Sequence, residues 1–173
     1  GARIAARGLP RDEVERRLAD SLHLACALVA CGAADGAVMG AEATTAATLR
    51  AALAAVGPQA GVGRVSSCFL MTFPGGRSLV YSGDTGPTDA LVELARGADL
   101  ALFEASFVDC PGNPVNLHMT GGQAADAARR AGVGRLLLTH LVPWNDAAVV
   151  RAEAAAGFDG DLQLASSGLR VEV

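Results

Sequence analysis

Lysine is absent from this chain, and its overall basic charge is low. All 14 basic residues are arginine, 18 residues are acidic, and the formal net charge is −4. Proteins that hold nucleic acid through its phosphates need a positive field, which this composition does not supply. We therefore expect no strong nucleic-acid field, although a local arginine cluster can still bind a phosphate group.

Histidine and paired cysteine are also scarce. The chain has three histidines (His23, His118 and His140), and its four cysteines, at positions 26, 31, 68 and 110, form no Cys-x-x-Cys pair. A disulfide framework and a cysteine-rich zinc site are therefore not expected, and free thiols favour a cytoplasmic location. A hydrolytic zinc site needs at least three protein ligands, so three histidines leave little room for one.

Long hydrophobic runs without polar residues are missing as well. The most apolar stretch, residues 22–41, contains His23 and Asp35, and acidic residues precede it. It resembles neither a membrane span nor a signal peptide, so we expect a soluble protein with no membrane partner. Hydrophobic residues make up 51% of the chain and charged residues 18%. That balance predicts a folded core with surplus apolar surface, which a homo-oligomer would bury.

The N-terminal part of the chain predicts two helices with a strand between them. Apolar residues recur every three or four positions over 14–29, which predicts one long helix. A short apolar run bounded by glycines predicts a buried strand over 36–40. Thr44 or Thr45 then caps a second helix that ends near Gly57.

The rest of the chain alternates strands with helices. A Pro-Gly-Gly turn joins the first two strands into a hairpin, and Thr120 with Gln123 has the form of a capping box. Asn145 is predicted to cap the last helix. The predicted strands are 64–73, 77–82, 100–105, 135–140, 162–165 and 169–173, and the predicted helices are 87–95, 120–132 and 145–157. This order predicts an α/β fold, a layered sheet with helices on its faces, mostly parallel but mixed by a hairpin near residues 65–82.

Two polar side chains follow apolar strands of this predicted sheet. Asp84 lies in a Gly-Asp-Thr-Gly turn, and His140 ends a strand of three leucines. Open α/β sheets place their chemistry at the carboxyl ends of strands, where an Asp and a His can share a metal ion. Each residue also has an ordinary alternative: a turn or helix-cap role for Asp84 and a structural role for His140.

The C-terminal hundred residues carry four motifs in a family-like order: Tyr81-Ser-Gly-Asp84-Thr, Asp99-Leu-Ala-Leu-Phe-Glu104-Ala-Ser, His118-Met-Thr120 and Leu136-Leu-Leu-Thr-His140-Leu. Together they resemble the metallo-β-lactamase superfamily of metal-dependent hydrolases, in particular ribonuclease Z and the cyclase-like hydrolases. The resemblance implies that Asp84 bridges two zinc ions and that His140 ligates the second. It further implies that Glu104 and His118 form a proton-transfer pair, although Glu104 could instead cap a backbone or pair with arginine.

The chain departs from that superfamily upstream of the Gly-Asp turn. Members carry a His-x-His-x-Asp-His motif and a further histidine there, whereas this chain has only His23. We therefore expect residues 74–173 to be the C-terminal half of such a hydrolase, with a partial zinc site. As an isolated chain it is expected to be inactive.

The preceding segment carries three other motifs: Gly32-Ala-Ala-Asp35-Gly-Ala-Val-Met-Gly40, Thr44-Thr-Ala-Ala-Thr-Leu-Arg50-Ala-Ala-Leu53 and Val65-Ser-Ser-Cys-Phe-Leu-Met71. They resemble the phosphate acetyltransferase family, whose members move an acetyl group between coenzyme A and phosphate without a metal. The resemblance implies that Thr44, Thr45 and Arg50 bind phosphate groups of the cofactor or substrate. Arg50 can equally be a solvated helix residue.

The chain is thus expected to be a chimera of two half-enzymes, residues 1–73 and 74–173, or one continuous domain built from both. Three functional hypotheses follow: a metal-dependent hydrolase of phosphodiester or ester substrates, an acyl transferase that uses coenzyme A, and a non-catalytic chimeric α/β domain. The ligand count favours an inactive isolated chain, and the number of matched catalytic positions favours the hydrolase as the family.

Overall fold

A computed structural model of the chain describes residues 10–58, 60–61 and 67–173. The chain divides into two compact units, residues 1–65 and residues 66–173. The boundary between the units lies before the expected sequence junction at 73/74 because the strand over 69–72 pairs with the next strand. The junction itself concerns sequence ancestry and stays a prediction.

The first unit is helical in its described part: α1 (Arg11–Leu18), α2 (Ser21–Ala30) and α3 (Thr45–Ala55). The prediction of one long helix over 14–29 is wrong, because the chain breaks at Asp20. Asp20 has an extended backbone (φ −86°, ψ 129°), and its carboxylate accepts a hydrogen bond of 3.1 Å from the backbone N–H of His23. An Asp side chain that caps the next turn competes with continuation of the first helix.

The strand predicted over 36–40 is also wrong. These residues form no strand in the structure, and Val38 is fully exposed. The described core of this unit is small and is centred on Cys26, Ala51 and Ala55. The helix over 45–55 is confirmed, and Thr44 is its N-cap through a 3.2 Å bond from the N–H of Ala47.

The second unit is a five-stranded sheet with three helices: β1 (Phe69–Thr72), β2 (Ser78–Tyr81), α4 (Asp89–Leu94), β3 (Leu100–Glu104), α5 (Gly121–Ala131), β4 (Arg135–Thr139), α6 (Ala147–Ala155) and β5 (Asp161–Leu164). The strands lie in the order β1-β2-β3-β4-β5. The first pair is antiparallel and the other three pairs are parallel. The predicted mixed α/β fold class, with its hairpin and mostly parallel sheet, is confirmed.

One face of this sheet packs into the core with the helices. Phe103 and Leu138 are paired in register across β3 and β4, and both are fully buried. The helices approach closely at Gly121, where an added Cβ would lie 2.1 Å from the backbone oxygen of Val150. The capping box predicted at Thr120 and Gln123 is present. The last two contacts fix where α5 begins and how closely it packs against α6.

Two details of the second unit differ from the prediction. The N-cap of α6 is Asp146, whose carboxylate accepts from the N–H of Ala148 at 2.8 Å, and not Asn145. Asn145 donates instead to the backbone oxygen of Ser106 at 2.8 Å. Residues 169–173 form no strand, and they pair with none of the described strands. None of the described helices is long and apolar enough to cross a membrane.

Candidate metal and proton-transfer site

The predicted site residues of the second unit meet at the carboxyl edge of the sheet. Asp84 follows β2, Glu104 is the last residue of β3, and His140 directly follows β4. Because these three strands are parallel neighbours, their carboxyl ends lie side by side. His118 reaches the same edge from the loop before α5, which a bridge between Phe107 and Thr120 ties down.

Glu104 is the buried centre of the site. Its side chain has no exposed surface. One carboxylate oxygen, Oε1, accepts from the N–H of Thr85 at 3.0 Å and lies 2.7 Å from Nδ1 of His118. The other, Oε2, accepts from the N–H of Ser106 at 3.0 Å. A buried carboxylate is tolerated only when its oxygens are hydrogen-bonded in this way.

The ring of His118 is held between two other rings. Its centroid lies 5.2 Å from that of Phe107 and 5.1 Å from that of His140, and both contacts are edge-to-face. With Nδ1 against the carboxylate of Glu104, the second ring nitrogen, Nε2, remains for a proton or a metal ion. The contact with Glu104 therefore fixes both the orientation of the ring and the proton on Nδ1.

His140 and Asp84 form a second histidine–carboxylate pair. Nδ1 of His140 lies 3.1 Å from Oδ1 of Asp84, and the two side chains are 39% and 63% exposed. His140 adopts a left-handed backbone (φ 56°), and its backbone oxygen accepts from the hydroxyl of Ser106 at 3.0 Å. A non-glycine residue in this conformation is uncommon and often lies at a functional site.

The turn that carries Asp84 is shaped by close backbone packing. Gly83 has φ 59°, and a Cβ added at Gly86 would lie 2.4 Å from the Cα of Asn116. Only glycine fits at Gly86 without moving that chain, which leads to His118 two residues later. The turn after β2 and the loop before α5 are therefore locked together by a contact that leaves no room for a side chain.

The donor set partly fits a metal ion. Side-chain donor atoms of Glu104, His118 and His140 lie within 4.8 Å of one another, and Asp84 adjoins His140. Nitrogen and oxygen donors suit zinc, but a catalytic zinc usually has three protein ligands and a pair of zinc ions needs more. The described residues thus provide a place for one ion and do not complete a two-zinc site.

The sequence did not indicate the residues that brace this site. Ser106 bonds to Glu104 through its N–H and to the His140 backbone through its hydroxyl, while Asn145 holds the Ser106 carbonyl. The hydroxyl of Ser82 accepts from the N–H of Glu104 at 2.9 Å. Apart from the bond between Ser106 and Glu104, which are two positions apart, these contacts join residues 22 to 39 positions apart, so local pattern carries no signal for them.

The phosphate-binding residues predicted in the first unit are not all brought together. Arg50 lines a groove of about 710 Å³ that also includes Arg16, Arg17 and His23. Neither Thr44 nor Thr45 is among the described residues of that groove. The hydroxyl of Thr44 is already occupied as the cap of α3.

In its sheet topology and its site, the second unit is similar to proteins of the metallo-β-lactamase fold. The metallo-β-lactamase fold protein YhfI from Bacillus subtilis superposes with a TM-score of 0.52 at 30% identity, over 60% of this chain and 47% of that protein. A ribonuclease Z from Halobacterium salinarum is 41% identical over 102 residues, which are 57% of this chain and 33% of the relative. An uncharacterized protein from Mycobacterium leprae is 54% identical over 98 residues, 57% of this chain and 34% of the relative. The chain thus spans about a third of the length of these curated relatives.

The family model for phosphate acetyl/butaryl transferase matches residues 2–92, which is more than half of the chain. The chain therefore belongs to the phosphate acetyl/butaryl transferase family. The sequence predicted a resemblance to two families, and this is confirmed. The phosphate acetyl/butaryl transferase model matches residues 2–92, and the chain also has a ribonuclease Z relative and a structural neighbour of the metallo-β-lactamase fold.

Proposed function

We propose that the second unit is the C-terminal half of a metal-dependent hydrolase of phosphodiester or ester bonds, and that the isolated chain is inactive because its zinc site is incomplete. The observation that carries this proposal is the buried Glu104 carboxylate held against Nδ1 of His118, beside the pair of Asp84 and His140. A structural role alone does not require two histidine–carboxylate pairs at one sheet edge.

In a complete site of this kind, the bound metal would polarise the scissile bond and lower the pKa of a bound water. Asp84 and His140 supply the donors that this chain retains. Glu104 fixes the proton on Nδ1 of His118, which leaves Nε2 to pass a proton to the leaving group. A cleft of about 210 Å³ adjoins His118 and is lined by Phe107, Asn113 and Val115 among others, which offers space for that group.

The test is single-turnover hydrolysis of bis(p-nitrophenyl) phosphate with the chain in excess and zinc added. We expect no rate above that of free zinc. If the chain does show a rate above this background, Glu104→Gln and His118→Gln should each abolish it. His23→Gln is the control, because His23 also pairs with a carboxylate, that of Asp20, but lies in the first unit. Rapid turnover would contradict the incomplete site, and a rate that both Gln variants retain would contradict the role of the dyad.

A second candidate is acyl transfer between coenzyme A and phosphate, which the family match over residues 2–92 favours. In the groove that Arg50 lines, Arg16 and Arg17 are both paired with Glu13, whereas no ion pair engages Arg50 in the described part of the chain. An unpaired guanidinium among other arginines suits a phosphate group. Phosphate-dependent thiol release from acetyl-coenzyme A, reduced by Arg50→Gln, would support this activity, and its absence from a folded chain would remove it.

We further propose a cytoplasmic location, because all four cysteines are free thiols and reducing compartments preserve such thiols. Small-molecule or phosphodiester substrates follow from the two candidate reactions. A homo-oligomer remains a proposal that rests on exposed apolar residues, among them Phe69 at 62% and Leu70 at 51%. Sedimentation velocity would test it.

A further inference from the structure

The two histidine–carboxylate pairs of the second unit face each other. In the first, Nδ1 of His118 lies 2.7 Å from Glu104, and in the second, Nδ1 of His140 lies 3.1 Å from Asp84. The two imidazole rings are 5.1 Å apart between centroids and nearly perpendicular, at 79°. In each pair the carboxylate contacts Nδ1 of its own histidine. Nε2 of each ring takes no part in these two contacts.

Glu104 is poorly suited to be a ligand itself. Its two oxygens already accept from Thr85, Ser106 and His118, and its side chain is fully buried. If the carboxylate moved toward a metal ion and lost its bond to the buried N–H of Ser106, the loss would cost about 1–3 kcal/mol. Glu104 therefore acts on a metal ion through His118 and not directly.

A carboxylate against one nitrogen of a histidine is also the usual support for a metal bound at the other nitrogen. Zinc binds imidazole nitrogens at about 2.0–2.1 Å, so two such ligands lie roughly 3–4 Å apart. The donor atoms of Glu104, His118 and His140 already lie within 4.8 Å of one another. His140 is 39% exposed, so its ring can adjust toward a bound ion without disturbing the core.

We infer that this chain binds one transition-metal ion through Nε2 of His118 and Nε2 of His140, with Glu104 and Asp84 as the carboxylates that orient the two rings. The inference rests on the proposed function for the location of the site but changes the role of His118. The remaining coordination positions are filled by water. Imidazole ligands favour Cu²⁺, Ni²⁺ and Zn²⁺ over Mg²⁺ and Ca²⁺.

This arrangement has a chemical consequence. A ring nitrogen that holds a metal ion cannot also carry the proton for a leaving group, so a His118 that ligates is removed from proton transfer. The chain would then bind metal and still not hydrolyse, which separates metal binding from activity as two measurable properties.

The test uses the full chain and Cu²⁺ alone as the probe, with titration calorimetry for stoichiometry and electron paramagnetic resonance for the count of bound nitrogens. We expect one ion per chain and two equatorial nitrogens. His118→Gln should leave one nitrogen and weaken binding at least tenfold. For His140 we choose Asn, since Asn tolerates the left-handed backbone at that position. His140→Asn should act in the same way as His118→Gln.

Two further variants separate the inference from its alternatives. Asp84→Asn should weaken binding by about 10- to 100-fold, as is usual for an orienting carboxylate, but keep both nitrogens, and the control His23→Gln should change nothing. Binding that is indifferent to His118→Gln but lost with Asp84→Asn and His140→Asn would overturn the inference and leave the proposed hydrolase half-site standing. Binding lost only with His23→Gln, or no binding by a chain with unchanged circular dichroism, would overturn it outright.

Discussion

Gly86→Ala is the substitution that most directly tests how the site is held together. Gly86 lies in the turn after β2, and an added Cβ would come within 2.4 Å of the Cα and 2.6 Å of the carbonyl carbon of Asn116. Both neighbours are backbone atoms, so no side-chain rotation relieves the overlap. The backbone of Gly86 itself is not left-handed, which means that the effect of alanine is steric and not conformational.

The size of the effect follows from the distances. Ordinary contact to a Cβ begins near 3.4 Å, so Asn116 must move by about 1 Å. His118 lies two residues further along the same loop, and its 2.7 Å contact with Glu104 would stretch beyond hydrogen-bond range. Overpacking of this kind typically costs about 1–3 kcal/mol. A loss near 2 kcal/mol lowers Tm by about 4–8 °C in a chain of this size.

The assay compares Gly86→Ala with Gly112→Ala, since a Cβ at Gly112 meets only the sulfur of Cys110 at 4.0 Å. We expect the first variant to lower Tm and to weaken Cu²⁺ binding at least tenfold, and the second to change neither. If Gly86→Ala binds the ion as tightly as the unaltered chain, the turn after β2 does not position His118.

Three further outcomes are expected from the packing of the chain. Gly121→Ala should lower the free energy of unfolding by about 2 kcal/mol or more in urea denaturation, because its Cβ would meet a backbone oxygen of α6 at 2.1 Å. Gly122→Ala should be near neutral in the same assay, because the neighbours of its Cβ are no closer than 3.8 Å. Phe103→Ala should lower the free energy of unfolding by about 3–5 kcal/mol, because Phe103 is fully buried. Phe69 is 62% exposed, so Phe69→Ala should lower it by under about 1 kcal/mol, and equal losses would contradict the assigned core. Burial raises the pKa of the Cys26 thiol, and the side chain is only 2% exposed. Cys26 should therefore react with a thiol reagent more slowly than Cys31 and Cys110, which are exposed, and equal rates would contradict this placement.

Local pattern predicted the elements that rest on local chemistry. The capping box at Thr120 and Gln123 satisfies the helix N-terminus with two neighbouring side chains, and it formed as predicted. The strand of three leucines before His140 also formed as predicted, and it has a parallel neighbour on each side. By contrast, the apolar run over 36–40 has no neighbouring strand among the described residues of its unit and remains coil. An apolar run becomes a strand only when another strand pairs with it.

The same distinction applies to the site. The sequence indicated its four polar side chains by their order along the chain, and the structure brings Asp84, Glu104, His118 and His140 to one edge. The family resemblance implied the pair of Glu104 and His118, but the sequence did not indicate the direct contact between Asp84 and His140, nor that Ser106 braces both Glu104 and His140. The pairing is decided by which loop crosses which strand end, and that depends on packing between distant parts of the chain.

The candidate site extends across the limit of the family match. Asp84 lies within residues 2–92, the part that the phosphate acetyl/butaryl transferase model matches, whereas Glu104, His118 and His140 lie beyond it. A site inherited from that family alone would not extend across this limit, and no residue beyond 92 is explained by the match. Yet the pair of Asp84 and His140 joins the two sides at 3.1 Å, from the carboxyl ends of β2 and β4, which lie on either side of β3 in one sheet. The histidine–carboxylate cluster is therefore the feature for which family membership does not account, and the metal binding proposed for it is the property that most directly tests what the second unit contributes.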